Sequence, residues 1–333
     1  MKQIAWLLLA CAQVSTAHES HQHAKVDVKP YEAKFPGKYT LENTTERPDA
    51  VKAFLPFAKT LGISWDDDFL YIEGNGLPDH PMMKGIKAWQ QQVPLAHDFT
   101  GTQRFKIPLK PVITTGKPQE LTIMGPIALA VNGVPIFHAL TQSGRDAYAA
   151  GELDQWGGHC GRADDYHYHI APAHLEKSVG KGNPVAFGMD GHPVYLANPA
   201  TDKPLDLCHG YIDDQGKYRY IGNLKPPYVM AYFRGKADLA DRPPTHPVRP
   251  FLRPLDGATI TGFSGDVEKG FSLQYDVRGK TGQVDYQITE KGADFVFKKP
   301  NGEVEKASYQ RSTKPPKPGD GEERLAAPEK PKP

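Results

Sequence analysis

The sequence predicts a mainly β protein: an antiparallel sheet domain with a partial internal repeat, followed by a small β-sandwich-like C-terminal module. Three observations predict it. The 333 residues include 31 Pro and 32 Gly, which interrupt long helices, beside 15 Tyr and 14 Phe, which favour strands. Apolar runs are short and bounded by turn residues. Two stretches of the chain also echo one another in composition and spacing. The length suits two domains. A net charge of +1 argues against a surface that reads nucleic-acid backbone, which normally carries a marked basic excess.

Met1-Lys2, the apolar run Ile4 to Ala10 and the small residues Ser15-Thr16-Ala17 read as a secretory signal over residues 1–17, too short to span a bilayer. The mature protein is then exported, periplasmic or secreted. An alternative cut after Ala10 leaves Cys11 as a lipid anchor. Residues 18–40 form a polar arm containing His18, His21 and His23, able to collect divalent metal weakly. If His18 becomes the N-terminus, its amine and ring can chelate copper together.

The main β domain is expected over residues 41–241. Lys52 to Leu61 suits one short helix, broken or begun near Pro56. Phe69 to Ile72 and Phe105 to Leu109 carry strand signals, and Ile123 to Val131 reads as a strand entering a tight Asn132-Gly133 turn. Ala147 to Leu153 reads as a loop-like or weakly helical insertion. Residues 242–247, Arg-Pro-Pro-Thr-His-Pro, have linker composition. Over 248–310, alternating runs at Phe271 to Tyr275, Val284 to Ile288 and Phe295 to Phe297 are separated by Gly279, Gly282, Gly292 and Gly302, which predicts the second β module. Residues 311–333, rich in Pro and charge, are expected to be a disordered tail.

The repeat pairs Asn132-Gly133-Val134-Pro135-Ile136-Phe137 with Asp190-Gly191-His192-Pro193-Val194-Tyr195. It also pairs Leu153-Asp154 to Tyr166-His167-Tyr168-His169 with Leu205-Asp206 to Tyr218-Arg219-Tyr220-Ile221, at equal internal spacing. Two hairpin-like units about a pseudo-axis would explain it, and only the first keeps a histidine pair.

That pair carries the chemistry. On a strand, His167 and His169 share one face while Tyr166 and Tyr168 share the other. His159, in a preceding glycine-rich loop, can supply a third nitrogen if the chain turns back through Asp164-Asp165. Three imidazoles suit a transition metal such as copper or zinc better than calcium or magnesium. His138 is a candidate fourth ligand, and Asp154, Asp165, Tyr166 and Tyr168 are candidates to orient the ligands. A second pointed feature is Asn75-Gly76-Leu77-Pro78-Asp79-His80-Pro81, in which His80 is a candidate ligand or catalytic proton carrier and Asp79 its orienter. The alternative for both is ordinary: histidines satisfying a polar core, and a rigid turn. With Cys11 removed or lipidated, Cys160 and Cys208 remain as an even pair, which an oxidising compartment would join as a disulfide. Two buried thiols are the other reading. No metalloprotease, phosphate-loop or serine-elbow motif is present.

Tyr166-His167-Tyr168-His169, together with Gly158-His159, Asn132 to Phe137 and Asn75 to His80, resembles the YHYH domain family of exported bacterial proteins over roughly residues 65 to 235. The resemblance supports the repeat and supplies a domain name rather than a reaction. Three functions compete: an exported metal-binding protein, a metal-dependent hydrolase or copper oxidase, and a metal-free cell-envelope protein. Partners are a small molecule or a cell-envelope protein, with no transmembrane segment.

Overall fold

A computed structural model describes residues 31–197 and 203–314. The expected signal, Cys11, the histidines of the arm and nearly all of the expected tail lie outside the described residues. Four short strands, β1 (Tyr39–Thr40), β2 (Gly62–Trp65), β3 (Phe69–Glu73) and β4 (Phe105–Pro108), form an antiparallel sheet in chain order. Between β1 and β2 lies helix α1 (Asp49–Phe54), which tightens into a 3-10 turn at Leu55–Phe57, where Pro56 removes a helical donor. Strand β5 (Gln119–Glu120) pairs with the later β14 (Tyr232–Phe233).

The central sheet has eight strands: β6 (Ala128–Ala130), β7 (Pro135–Ile136), β8 (Gly158–Cys160), β9 (Tyr166–Tyr168), β10 (Ala186–Gly188), β11 (Pro193–Leu196), β12 (Gly210–Ile212) and β13 (Tyr218–Gly222). Their order is β12-β13-β11-β10-β6-β7-β9-β8. This is the internal repeat made visible. The antiparallel β6–β10 pair sits at the centre, and each half then runs outward through an antiparallel hairpin, a parallel step and an antiparallel edge pair. Local bonding repeats as well. Asp154 Oδ1 accepts from the amides of Trp156 and Gly158, while Asp206 Oδ1 accepts from those of Cys208 and Gly210. The phenols of Tyr166 and Tyr218 cap the same two carboxylates. The Asn132-Gly133 turn is as expected, with Gly133 at φ +80°, a conformation that favours glycine.

Strands β15 (Ala258–Asp266), β16 (Gly270–Val277), β17 (Lys280–Thr289), β18 (Gly292–Lys298) and β19 (Val304–Gln310) form one antiparallel meander. Its alternating residues Leu273, Tyr275, Val284, Tyr286 and Phe295 are buried, and residues 85–95 supply the opposing layer. Trp89 packs on Tyr275 at 4.9 Å, Tyr286 Oη donates to the Pro94 carbonyl, and the Ile260 amide donates to Ile86. Gly282 lies inside β17 rather than between strands, because the Tyr275 ring covers the place a side chain would need. Among the described residues, no helix is long and apolar enough to cross a membrane.

The expected disulfide does not form: Cys160 and Cys208 are buried free thiols. Cys160 lies on edge strand β8 with its sulfur against Met83 Sδ at 3.5 Å, whereas Cys208 lies two residues before β12 at the opposite edge. Seven strand spacings of about 4.8 Å separate those edges. A disulfide tolerates a Cα separation of only about 7 Å. Burial raises the Cys160 thiol well above its ordinary pKa and pushes Cys208 up to about 11, which favours the protonated thiol over the reactive thiolate.

Candidate metal centre

Strands β8 and β9 form a hairpin whose register sets His159 directly opposite His167. Cross-strand partners share a face, and His169, two residues beyond His167, returns to it. His159 therefore comes from a strand rather than from the expected loop, and the turn runs from Gly161 to Asp164, whose amide donates to the Gly161 carbonyl. Close approach depends on small residues. A Cβ on Gly161 would meet Asp165 Oδ1 and His167 Cε1, both at 2.8 Å, and one on Gly158 would meet the Tyr166 ring.

All three imidazoles are buried, and their nitrogens converge. His169 Nε2 lies 2.9 Å from His159 Nε2 and 3.1 Å from His167 Nε2. The opposite ring nitrogens decide the tautomers. His167 Nδ1 is 2.9 Å from the Asp165 carbonyl and His169 Nδ1 is 2.5 Å from the His138 carbonyl, while His159 Nδ1 faces the Glu152 carboxylate at 4.0 Å. A carbonyl can only accept, so Nδ1 of His167 and of His169 carries a proton, which leaves Nε2 as the lone-pair nitrogen in the neutral tautomer of each ring. Nε2 contacts of this kind repel rather than bond unless a cation sits among them. Burial, then the neighbouring imidazoles, hold the pKa of His159 well below its usual value, and burial lowers that of His169 to about 3. These two separations are compatible with an ion roughly 2.0–2.1 Å from the nitrogens, and one ligand atom from each of the three rings lies within 4.8 Å of the others. The buried His159, His167 and His169 cluster can thus coordinate a metal ion.

The surroundings hold the rings in place. Phe137 stacks on His167 with centroids 3.8 Å apart. Asp165 Oδ2 is 3.3 Å from His167 Nδ1; burial disfavours its charge, but the His167 contact brings its pKa below the usual carboxylate range. Glu152, fully buried, lies near His159 and is held by Arg145 at 2.7 Å and Gln90 at 3.1 Å. The trio lines a cleft of about 730 Å³ together with Phe137, Arg162, Arg242 and Phe251.

The remaining expected site residues are distributed differently. The His138 carbonyl serves His169, while its Nδ1 accepts from the Leu140 amide. Asp154, Tyr166 and Tyr168 occupy the other face of the hairpin, where Asp154 ties the Met83, Trp156 and Gly158 amides to the Tyr166 phenol. His80 joins that face. Its Nδ1 donates to the Pro81 carbonyl, so its Nε2 accepts from the Tyr168 phenol at 2.6 Å. Asn132 Nδ2 at 3.0 Å and His174 Nε2 at 3.3 Å also meet that phenol oxygen. Asp79 is exposed at the loop tip. The structure thus separates two groups across one strand: histidines facing the cleft, and a phenol-centred clasp behind them.

Sequence reasoning missed Phe137, Glu152, Arg145, Gln90 and His174. Only Phe137 carried a signal, as the final residue of the repeated Asn132 to Phe137 motif.

The model of the YHYH protein family matches residues 104–203. Residues 104–203 form a YHYH-family domain. The YHYH match is narrower than the stretch that carried the resemblance: it contains the whole first repeat with its three histidines and the β10–β11 hairpin, and stops before β12 and β13. No curated protein and no solved structure matches the chain.

Proposed function

We propose that this is an exported metal-binding protein that holds one copper or zinc ion through His159, His167 and His169 and serves in metal handling. One observation carries the reading: the buried His169 Nε2 lies 2.9 Å from His159 Nε2 and 3.1 Å from His167 Nε2, while the Nδ1 protons of His167 and His169 are spent on backbone carbonyls. Three neutral imidazoles suit either metal. Asp165 and the backbone carbonyls orient the rings and make them better donors. The leader-like residues 1–17 support export.

A second reading, metal-dependent catalysis, is favoured by the cleft. Three protein ligands leave a coordination position for water or substrate, and a bound ion there would supply Lewis-acid or electron-transfer chemistry. Metal analysis of protein purified without an affinity tag tests the first reading. One ion per chain is expected, and it should be lost in the His167→Ala/His169→Ala double variant. Stoichiometric metal retained by that variant would reject the assignment. Loss of export on deleting residues 2–17 is the expected result for the leader.

A further inference from the structure

The cleft above the histidines is unlike a bare metal-storage pocket. Ile123, Met124, Pro126, Leu140, Leu239 and Phe251 give it apolar walls, yet four arginines (Arg145, Arg162, Arg242 and Arg253) line it against one carboxylate, that of Asp165. Asp165 is already engaged, by the Ala163 amide and His167. Arg145 pairs with Glu152, and Arg162 lies over the Phe251 ring.

Arg242 is held differently. Its Nε donates to the Leu239 carbonyl at 2.7 Å, and its Nη1 donates to the Met124 and Pro126 carbonyls at 2.8 and 3.1 Å. Among the described residues, no carboxylate pairs with it and its Nη2 makes no hydrogen bond. The guanidinium is half-buried, and burial alone lowers its pKa. Partly desolvating a cation without a counter-charge is costly, and carbonyl oxygens fix its position without neutralising it. An arginine clamped on two sides, with Nη2 left over in the wall of an apolar cleft, is arranged to receive an oxyanion.

We infer that the cleft binds a small amphipathic anion, whose carboxylate is taken by Arg242 and whose apolar body packs on the Met124, Leu239 and Phe251 side of the cleft. The inference rests on the metal-binding reading for what lies at the cleft floor, but the Arg242 contact does not need the ion. The cleft volume falls in the range of small-molecule sites.

The test is calorimetric titration with phenylacetate and with phenylacetamide, its uncharged counterpart, on metal-loaded and chelator-treated protein. Phenylacetate is expected to bind at least tenfold more tightly. Arg242→Met should remove that preference, Arg242→Lys should keep part of it, and neither should alter metal stoichiometry. Should Arg242→Met fail to fold, Arg242→Gln, which can still donate to the same carbonyls, takes its place. Phenylacetate binding no tighter than phenylacetamide, or a preference that survives loss of the guanidinium, overturns the inference even where metal binds one to one. A preference present in chelator-treated protein and lost with Arg242 sustains it even if the protein proves to hold no metal.

Discussion

Replacing Arg249 by methionine is expected to destabilise the fold by about 3–5 kcal/mol, the range for removing one partner of a buried ion pair. Arg249 and Asp164 are both buried, with Nη2 to Oδ1 at 2.5 Å and Nε to Oδ2 at 3.3 Å. Arg249 also donates to the Gln91 carbonyl and lies over the Phe295 ring, so it fastens the C-terminal sheet to the turn of the histidine hairpin. Methionine keeps much of the packing but leaves the Asp164 carboxylate with the Val93 amide as its remaining donor. Burial already raises the Asp164 pKa despite the arginine, and removing the arginine must raise it further. For an acid whose folded pKa exceeds its unfolded value, the folded state binds protons more readily, so the penalty is present above the folded pKa and shrinks as pH falls through it. Urea unfolding at pH 7.5 and pH 5 is the assay. The deficit should be smaller at the lower pH, and Asp164→Asn in the same background should recover part of it. A deficit under about 1 kcal/mol at pH 7.5, as for an exposed pair, would refute the reasoning.

Gly161→Ala should fold yet bind metal at least tenfold more weakly in a competition titration, because the new methyl meets the Asp165 carboxylate and the His167 ring. Tyr168→Phe should cost about 1–3 kcal/mol in urea unfolding, since His80, Asn132 and His174 lose a shared buried partner. Metal stoichiometry should stay unchanged, as the phenol lies on the other face. His97 is buried and its pKa is lowered to about 4, chiefly by burial. A base depressed in the fold stabilises it fully above its unfolded pKa, near 6.5, and that contribution of about 3 kcal/mol is lost as pH falls towards 4. His97→Gln should flatten the stability profile over that window.

The sequence made the histidine face legible because strand geometry alternates by residue: once 166–169 reads as a strand, His167 and His169 must share a side. It could not place His159 on a paired strand, since register belongs to the hairpin as a whole. Nor could it show which carbonyl meets the His169 Nδ1 proton, because His138 arrives from an irregular segment with no period. The repeat was visible in sequence, but its consequence for the cysteines was not. Cys160 and Cys208 belong to different copies, and a pseudo-dyad at the sheet centre sends the outer strands of those copies to opposite edges. Even counting favoured a disulfide that topology forbids. Arg249 and Arg242 were equally hidden, because a proline-rich stretch reads as linker whether it hangs free or clamps two sheets.

The same pseudo-dyad offers an internal control on the metal site. Each half builds a slot between its edge pair and the aromatic residue closing the inner hairpin, Phe137 in the first copy and Tyr195 in the second. In the first, the His167 ring stacks on Phe137 and faces two further imidazoles. In the second, the equivalent positions read Tyr211, Arg219 and Ile221. There the Arg219 guanidinium lies 4.6 Å from the Tyr195 ring centroid and pairs with Asp213 at 2.6 Å. One backbone frame therefore presents a cation over an aromatic ring with its charge built into the side chain. The other presents three converging imidazole nitrogens. A histidine cluster kept merely to fill a polar core would need donors facing acceptors, as Arg219 faces Asp213. The first copy instead turns acceptors towards acceptors, an arrangement that a bound cation makes favourable.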